Sequence, residues 1–226
     1  MLGKYLKRKL GREEEIPPTE QFYSSLRIGL HTTLNVSTVD LLGVAETSHE
    51  TFKLPNGSLD VVGITVVGEQ DGDAPIWRVQ ATDNDETPYI LQLQGSKDPR
   101  SGVMDISEVM FFQMVGEQIP LTEDGWNKLH ESFKATAFDL DGVNYDRIWG
   151  EEEEGPIDLF VLEEQGVELG GEVSYTSYQM LFGRMIDNFG EEETEFVLVG
   201  VEEGEDSDVA RTFVGFMLPA AAVKVQ

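Results

Sequence analysis

The chain has 226 residues, of which 16 are Lys or Arg and 43 are Asp or Glu, and its formal net charge is −27. A protein this acidic repels phosphate groups, so the composition argues against general nucleic-acid binding. The absence of cysteine excludes disulfides, thiolate catalysis and zinc–thiolate sites, while a hydrophobic fraction of 40% predicts a folded core.

The first twelve residues are basic, whereas the rest of the chain is strongly acidic. Residues 1–10 predict a short amphipathic helix that ends at Gly11. Such a helix suits an anionic membrane surface or an acidic partner; the alternatives are a frayed terminus and docking on the chain's own acidic body. The residues predicted to contact a membrane or a partner are Leu2, Lys4, Leu6, Lys7, Arg8, Lys9 and Leu10.

A charged, proline-containing linker is predicted at residues 13–25, and a β-rich domain at residues 26–226. Within the domain, Leu26–Leu34 is apolar at alternate positions, and Val36–Ala45 predicts one short helix.

Strand signals become dense from residue 50. Asn56-Gly57 separates the β-type runs Thr51–Leu54 and Leu59–Val67 and predicts a hairpin, because both turn residues tolerate positive φ. Alternation or apolar runs predict further strands at Ile76–Thr82, Tyr89–Leu93, Val109–Val115, Lys134–Leu140, Asn144–Trp149, Ile157–Leu162, Val173–Phe182, Phe196–Val201 and Arg211–Leu218.

A helix is predicted over Thr122–Phe133, where apolar and aromatic residues recur at helical spacing from Trp126 onward and Thr122 is the expected N-cap. Asp141-Gly142 predicts a second tight turn. The fold class that follows is mainly β with a few short helices (α+β), built from antiparallel sheets.

The two halves of the domain resemble each other at a spacing of about 86 residues. Phe52–Gly57 matches Phe138–Gly142, and Glu108–Phe112 matches Glu195–Val199. This pattern predicts a duplication of residues 50–133 as residues 134–218, packed as two related β-units. The alternative is that any two antiparallel meanders with glycine turns look alike.

No motif of catalysis or metal binding is complete. His49-Glu50 and His130-Glu131 begin like the zinc motif HExxH, but Lys53 and Lys134 stand where its second histidine belongs. Acidic clusters such as Asp83–Glu86 are typical of hairpin turns, because Asp and Asn accept local backbone hydrogen bonds. We therefore predict no catalytic, cofactor-binding or metal-binding residue.

Tyr145, Arg147 and Trp149 form the most distinctive short run, and these residue types often anchor protein interfaces. They are predicted as partner contacts. The alternative is that they occupy one face of a strand, with the arginine neutralising nearby acid.

Several stretches occur in an order that is similar to one family: LRIG near residue 26, FKLPNG, FDLDG, YDRIWG, YTSYQMLFGR and EEETEFVLVGVEE. Over residues 20–226 the chain resembles the YjfK-like family of bacterial proteins of unknown function. The resemblance implies no activity, cofactor or catalytic residue. Genes of that family often lie near those for PspA-like membrane-remodelling proteins, which implies an envelope-stress setting.

Three hypotheses follow. The first is a non-enzymatic, cytoplasmic interaction protein, peripheral to the inner membrane, whose acidic body binds a protein with a basic surface, such as a PspA-like protein. The second is an enzyme or small-ligand binder with a carboxylate site between the two β-units. The third is a homo-oligomeric structural protein with an apolar interface strengthened by salt.

Overall fold

The computed structural model describes residues 28–37, 41, 45, 48–67, 76–97, 104–150, 155–188, 190–203 and 208–226. Within this part of the chain, twelve strands form one sheet in which every pair is antiparallel. The fold class predicted from the sequence, mainly β with few helices, is confirmed. The strands are β1 (Thr33–Val36), β2 (Leu59–Val67), β3 (Ile76–Thr82), β4 (Pro88–Lys97), β5 (Met104–Gln118), β6 (Ala137–Leu140), β7 (Val143–Arg147), β8 (Phe160–Glu168), β9 (Gly171–Asn188), β10 (Glu191–Glu202), β11 (Val209–Pro219) and β12 (Val223–Val225).

Eight of these strands close into a ring. β2 to β5 form one meander and β8 to β11 form a second, each with successive strands paired. The meanders are joined last strand to last strand by β5 and β11, and first strand to first strand by β2 and β8. Closure gives each of these eight strands a paired neighbour on both sides, which protects the sheet from pairing with other chains.

We call the pairings β5–β11 and β2–β8 the two seams of the ring. They relate the meanders in the way that a two-fold axis would, because β2 takes the same place in the first meander as β8 in the second, and β5 the same place as β11. The predicted units, residues 50–133 and 134–218, each enclose one meander. However, the sequence match of Glu108–Phe112 to Glu195–Val199 places β5 against β10, one strand out of step with the topology. The duplication itself stays a prediction.

Side-chain contacts across the ring identify its inner face. Arg78 on β3 donates a hydrogen bond of 2.7 Å to Gln179 on β9, although β2 and β8 lie between them. Three strand spacings amount to about 14 Å, so the two side chains meet only if both point inward. By alternation, the same face holds a small apolar cluster of Met110, Phe112, Leu181, Phe196, Leu198 and Phe213.

The main hydrophobic core lies on the outer face of the ring. Segments that are not part of the ring cover it: the chain before β2, a helix α1 (Glu123–Lys134), the hairpin β6–β7 and the C-terminal residues. Phe52 packs edge-on against Phe216 at 5.0 Å, and Phe133 of α1 is fully buried beside Phe138. The core therefore lies between a curved sheet and a partial outer layer.

The predicted hairpin at Asn56-Gly57 is wrong. Residues 51–54 form no strand, and β2 pairs instead with β1, β3 and β8. The chain does bend there, with positive φ at Gly57, and the bend packs on the β3–β4 turn, where Asn84 N donates to Asn56 O at 3.2 Å. Burial of Phe52 on the outer face holds the preceding segment across the sheet instead of beside β2.

Other predicted elements are confirmed with small shifts. Thr122 caps α1 by accepting a hydrogen bond from Gly125 N at 3.1 Å, and the turn between β6 and β7 has positive φ at Asp141 (50°) and Gly142 (86°). Of the predicted helix Val36–Ala45, the described residues Leu41 and Ala45 are helical, whereas Val36 ends β1. The residues of the Lys134–Leu140 run divide between the end of α1 and β6.

Candidate binding site

The ring encloses a buried ion pair between Arg78 on β3 and Glu164 on β8. Their side chains are 4% and 2% exposed, and Arg78 Nη1 donates directly to Glu164 Oε1. A buried charge without a partner costs several kcal/mol, so each of these residues depends on the other. The pair also connects the first meander to the second.

Neutral side chains complete the hydrogen bonding of this pair. Glu164 accepts from Thr65 Oγ1 at 2.8 Å and from Ser177 Oγ at 3.2 Å. The guanidinium of Arg78 also donates to the side-chain oxygens of Gln92, at 3.1 and 3.2 Å, and Gln179. Both oxygens of Glu164 thus have donors. A carboxylate does lie between the two β-units, as the second hypothesis requires, but this hydrogen bonding gives it a structural role.

A cavity of about 520 Å³ lies next to the buried pair, at one mouth of the ring. Residues at the ends of several strands border it, among them Thr82 at the end of β3, Pro88 at the start of β4 and Val173 near the start of β9. The side chains of Ile90 and Met114 supply apolar surface. The cavity falls in the size range of small-molecule sites, which combine apolar walls with a few polar groups.

The charged groups of the cavity are mostly carboxylates. Glu117, Glu168, Glu202 and Glu203 contribute to the lining, against the single cation Arg211. Arg211 is already engaged, since its Nε donates to Glu117 at 3.0 Å and its Nη1 donates to Glu202. The lining therefore carries an excess of negative charge that its own arginine does not balance.

Glu202 is the carboxylate at the boundary between the cavity and the interior. Burial raises the pKa of Glu202, while the adjacent Arg211 opposes that shift. Burial lowers the pKa of Arg211, but attraction to Glu202 and Glu117 outweighs it and raises the pKa overall. A positive charge brought to Glu202 would favour its ionised form in the same way that Arg211 does.

Tyr175 links the cavity to the buried pair. Gln80 Nε2 donates to Tyr175 Oη at 2.8 Å, and both residues line the cavity. Burial raises the pKa of Tyr175, and the negative charges of Glu164 and Glu202 raise it further. The phenol is therefore neutral near neutral pH and presents a polar group at the cavity wall.

A second buried carboxylate, Glu195 on β10, lies on the outer face of the ring. It accepts hydrogen bonds from His49 N and Arg184 Nε, each at 2.6 Å, and from Tyr145 Oη at 2.9 Å. The His49 ring also donates from Nε2 to the carbonyl of Leu140 at 3.1 Å. These contacts join the segment before β2 and the hairpin β6–β7 to the ring, which is a structural function.

Tyr145, Arg147 and Trp149, which the sequence predicts as partner contacts, lie in this outer layer. Tyr145 is fully buried, and the guanidinium of Arg184 lies 5.2 Å from its ring centre. Arg147 is half-buried and donates to the carbonyl of Gly155, and half-buried Trp149 packs on Phe160. Tyr145 is thus part of the core, and the predicted partner contact of Tyr145, Arg147 and Trp149 stays a prediction.

The other predicted residues fall partly outside the described chain. All of the predicted N-terminal contact residues, Leu2 to Leu10, lie outside the residues that the structure describes. Asp83 lies in the β3–β4 turn, as predicted, and accepts from the backbone of Asn56, Asp85 and Thr87. No group of three or more His, Asp or Glu in the described part is placed to hold a metal ion.

Sequence reasoning missed the residues that build the interior and the cavity. Arg78 lies in a predicted strand, and Glu164 lies just after another. Both were missed because the polar face of an alternating strand is normally exposed to solvent. The signal that could have found them is the number of successive strands that alternate between apolar and polar residues. If such a sheet closes on itself, every second residue of each strand points into the ring, so polar positions can lie inside.

The comparisons with known proteins place the chain in a family. The model of the family "Protein of unknown function (DUF2491)" matches residues 6–224, so the chain belongs to this uncharacterised family. Comparison with curated proteins and with solved structures gave no match. Among the described residues, no helix is both long enough and apolar enough to cross a membrane.

Proposed function

We propose that this protein is a non-enzymatic accessory protein that binds a basic protein partner at the cytoplasmic side of the inner membrane. The observation that carries the proposal is the placement of its charges. Five of the described bases are held in ion pairs within the chain, while many acids are exposed. The paired bases are Arg78, Lys128, Lys134, Arg184 and Arg211.

One part of the surface combines acidic and apolar groups in a way that fits such a partner. We name it the outer acidic face: Val161, Glu163, Tyr178 and Asp208, together with Glu172, which lies six residues before Tyr178 on the same side of β9. Val161 is 50% exposed and pairs with Tyr178 across β8 and β9. The hydrogen bond that Tyr178 donates to Glu203 raises the pKa of the phenol, and the negative charges of Asp208 and Glu163 raise it further. A basic amphipathic helix complements this face, because its cations meet carboxylates while its apolar stripe meets Val161 and Tyr178.

The resemblance to YjfK-like proteins supports the choice of partner, since it implies a setting near PspA-like membrane-remodelling proteins. Binding of a purified PspA-like protein should be measured by biolayer interferometry at 50 and 300 mM NaCl. We expect affinity to fall steeply at the higher salt, because exposed charges are screened over about 10 Å at 0.1 M. Undetectable binding at 50 mM NaCl would contradict this partner.

A charge-matched pair of triple variants tests the surface. Glu163→Lys/Glu172→Lys/Asp208→Lys reverses the outer acidic face, and Glu108→Lys/Glu131→Lys/Asp146→Lys makes the same change in net charge at exposed acids elsewhere. We expect the first variant to bind at least tenfold more weakly and the second to stay within about threefold of the wild type. Equal losses in both would mean that only the overall charge matters.

The basic N-terminal segment is proposed as a contact with anionic lipid. Flotation with phosphatidylglycerol vesicles should compare the full chain with the variant in which Lys4, Lys7, Arg8 and Lys9 are all changed to Gln. Each basic residue near an anionic surface contributes about 1 kcal/mol, so we expect the variant to float much less. Equal flotation of the two proteins would remove the lipid contact.

A further inference from the structure

We infer that the cavity at the mouth of the ring is a binding site for an organic cation, an alkylammonium group carried on a short apolar stem. This site goes beyond the protein partner proposed above, because it lies at the mouth of the ring and not on the outer acidic face. The two sites border each other, since Glu203 of the cavity accepts a hydrogen bond from Tyr178 of that face, but they share no residue, so separate variants test each of them.

The shape of the cavity indicates a small ligand. Its volume is about 520 Å³, within the range of sites for small organic molecules. Ile90, Met114, Phe213 and Val209 give it an apolar wall. A hydrated metal ion gains nothing from such a wall, whereas an alkyl chain gains about 0.8 kcal/mol for each methylene removed from water.

The charge of the cavity selects the sign of the ligand. Carboxylates in the lining outnumber the single guanidinium of Arg211: they are Glu117, Glu168, Glu202 and Glu203. Arg211 is occupied by its hydrogen bonds to Glu117 and Glu202, which makes it a poor binder of an additional anion. A carboxylate ligand would be repelled, and a cation would be attracted.

The position of Glu202 favours one end of the cavity for the cationic head. Glu202 is adjacent to the buried interior, and burial raises its pKa, so an added cation there is stabilised by a carboxylate that lacks full solvation. Tyr175 Oη lies on the same wall, where it accepts from Gln80, and an oxygen acceptor suits the N–H groups of an ammonium.

Binding can be measured on the full ¹⁵N-labelled chain by NMR titration at pH 7.5 with three probes of equal length: hexylamine, hexanol and sodium hexanoate. We expect hexylammonium to shift the backbone amides of Tyr175, Glu202 and Arg211 and to bind at least tenfold more tightly than hexanol, with hexanoate inactive. Equal binding of amine and alcohol, or shifts confined to other residues, would overturn the proposal.

Variants connect the effect to the cavity. Glu202→Gln and Glu168→Gln should each weaken hexylammonium binding at least fivefold, and Val209→Trp, at a half-buried position, should block it by filling space. Glu131→Gln on α1 removes the same charge at an exposed position and should leave the affinity unchanged. A similar loss in Glu131→Gln would overturn the site, since it would show attraction by net charge alone.

The same ammonium chemistry is available from a free amine or from a lysine side chain of a polypeptide. A parallel titration with Nα-acetyl-lysine methylamide distinguishes them. Tighter binding of hexylammonium assigns the cavity to a free amine, and tighter binding of the lysine derivative assigns it to a polypeptide lysine. Absence of binding by both would overturn the proposal.

Discussion

Arg78 and Glu164 illustrate how two residues hold opposite sides of the ring together. They lie on β3 and β8, and all six residues of their network are buried: Thr65, Arg78, Gln92, Glu164, Ser177 and Gln179. A buried pair of this kind adds little net stability compared with apolar residues, but it specifies which strands meet inside. Removing one charge leaves the other without compensation.

We predict that Arg78→Leu lowers the free energy of unfolding by about 3–5 kcal/mol, because Glu164 is left charged and buried. The double variant Arg78→Leu/Glu164→Leu should recover a large part of that loss. Urea denaturation followed by circular dichroism measures both. Lys128→Ala is the control, since Lys128 and Asp124 form an exposed pair on α1 with side chains 73% and 77% exposed. A single variant no less stable than this control would contradict the interpretation.

Asp83 gives a prediction about pH. Burial tends to raise its pKa, but hydrogen bonds from Asn56, Thr87 and Asp85 lower it overall below the ordinary value of 3.8. A group whose pKa is lowered by folding stabilises the protein above its unfolded-state pKa, and that stability is lost as pH falls through the folded-state pKa. In Asp83→Asn, the amide cannot accept at both oxygen positions, so Asn56 N loses its acceptor.

We therefore expect Asp83→Asn to be about 1–3 kcal/mol less stable than the wild type at pH 7. The difference should shrink as pH falls below about 4, because the wild type then loses its carboxylate. Urea titrations at pH 7, 5, 4 and 3 measure it, and Asp85→Asn, an exposed change in the same turn, is the matched control. A pH-independent difference would show that the charge of Asp83 is not the cause.

The strand β8 is the element on which closure of the ring depends. It pairs with β2 from Val67↔Glu164 to Gly63↔Glu168 and with β9 along its whole length. Gly166 is opposite Thr65 at this seam. A Cβ at Gly166 would overlap the carbonyl oxygen of Ile64 and lie 2.7 Å from Cα of Thr65, so only glycine allows the two backbones to approach this closely.

We predict that Gly166→Ala opens the seam between β2 and β8. Amides of both strands should exchange with deuterium at least tenfold faster, whereas amides at the β5–β11 seam should change much less. Gly170→Ala in the following turn is the control, because a Cβ there has no atom within 4 Å. Equal protection at the two seams in Gly166→Ala would contradict a local opening.

Strand positions were largely predictable from the sequence, because alternation depends on the two-residue period of the backbone. Ile76–Thr82 was predicted with its observed bounds, and Leu59–Val67 likewise. Pairing was less predictable, since it depends on long-range packing: the segment before β2 crosses the sheet because Phe52 packs on Phe216. The cavity could not be predicted, because alternation does not say whether the polar face of β3 or β8 points to solvent or into a ring.

The net charge acts on the molecule as a whole. At −27, exposed carboxylates repel one another in the folded protein, and the repulsion is weaker in the expanded unfolded chain. We predict that raising NaCl from 50 to 500 mM increases the melting temperature by a few degrees. Differential scanning calorimetry measures this shift.

The lysine triple variant of the outer acidic face serves as the comparison in this experiment. Its net charge is smaller in magnitude, so its melting temperature should respond less to salt. An equal or larger response would mean that screening of carboxylate repulsion is not the cause. Sedimentation velocity at the same two salt concentrations tests the homo-oligomer hypothesis, which requires association to increase with salt.

The two seams of the ring also govern when the protein can fold during its synthesis. Val67 on β2 pairs with Glu164, and Glu108 on β5 pairs with Pro219. The first meander therefore leaves the ribosome before β8 and β11, the strands that close its two sides, have been made. Contacts so distant in sequence form slowly. During that interval like charges along the nascent chain oppose premature contact with neighbouring chains, so the acidity of this protein also protects its unfinished form.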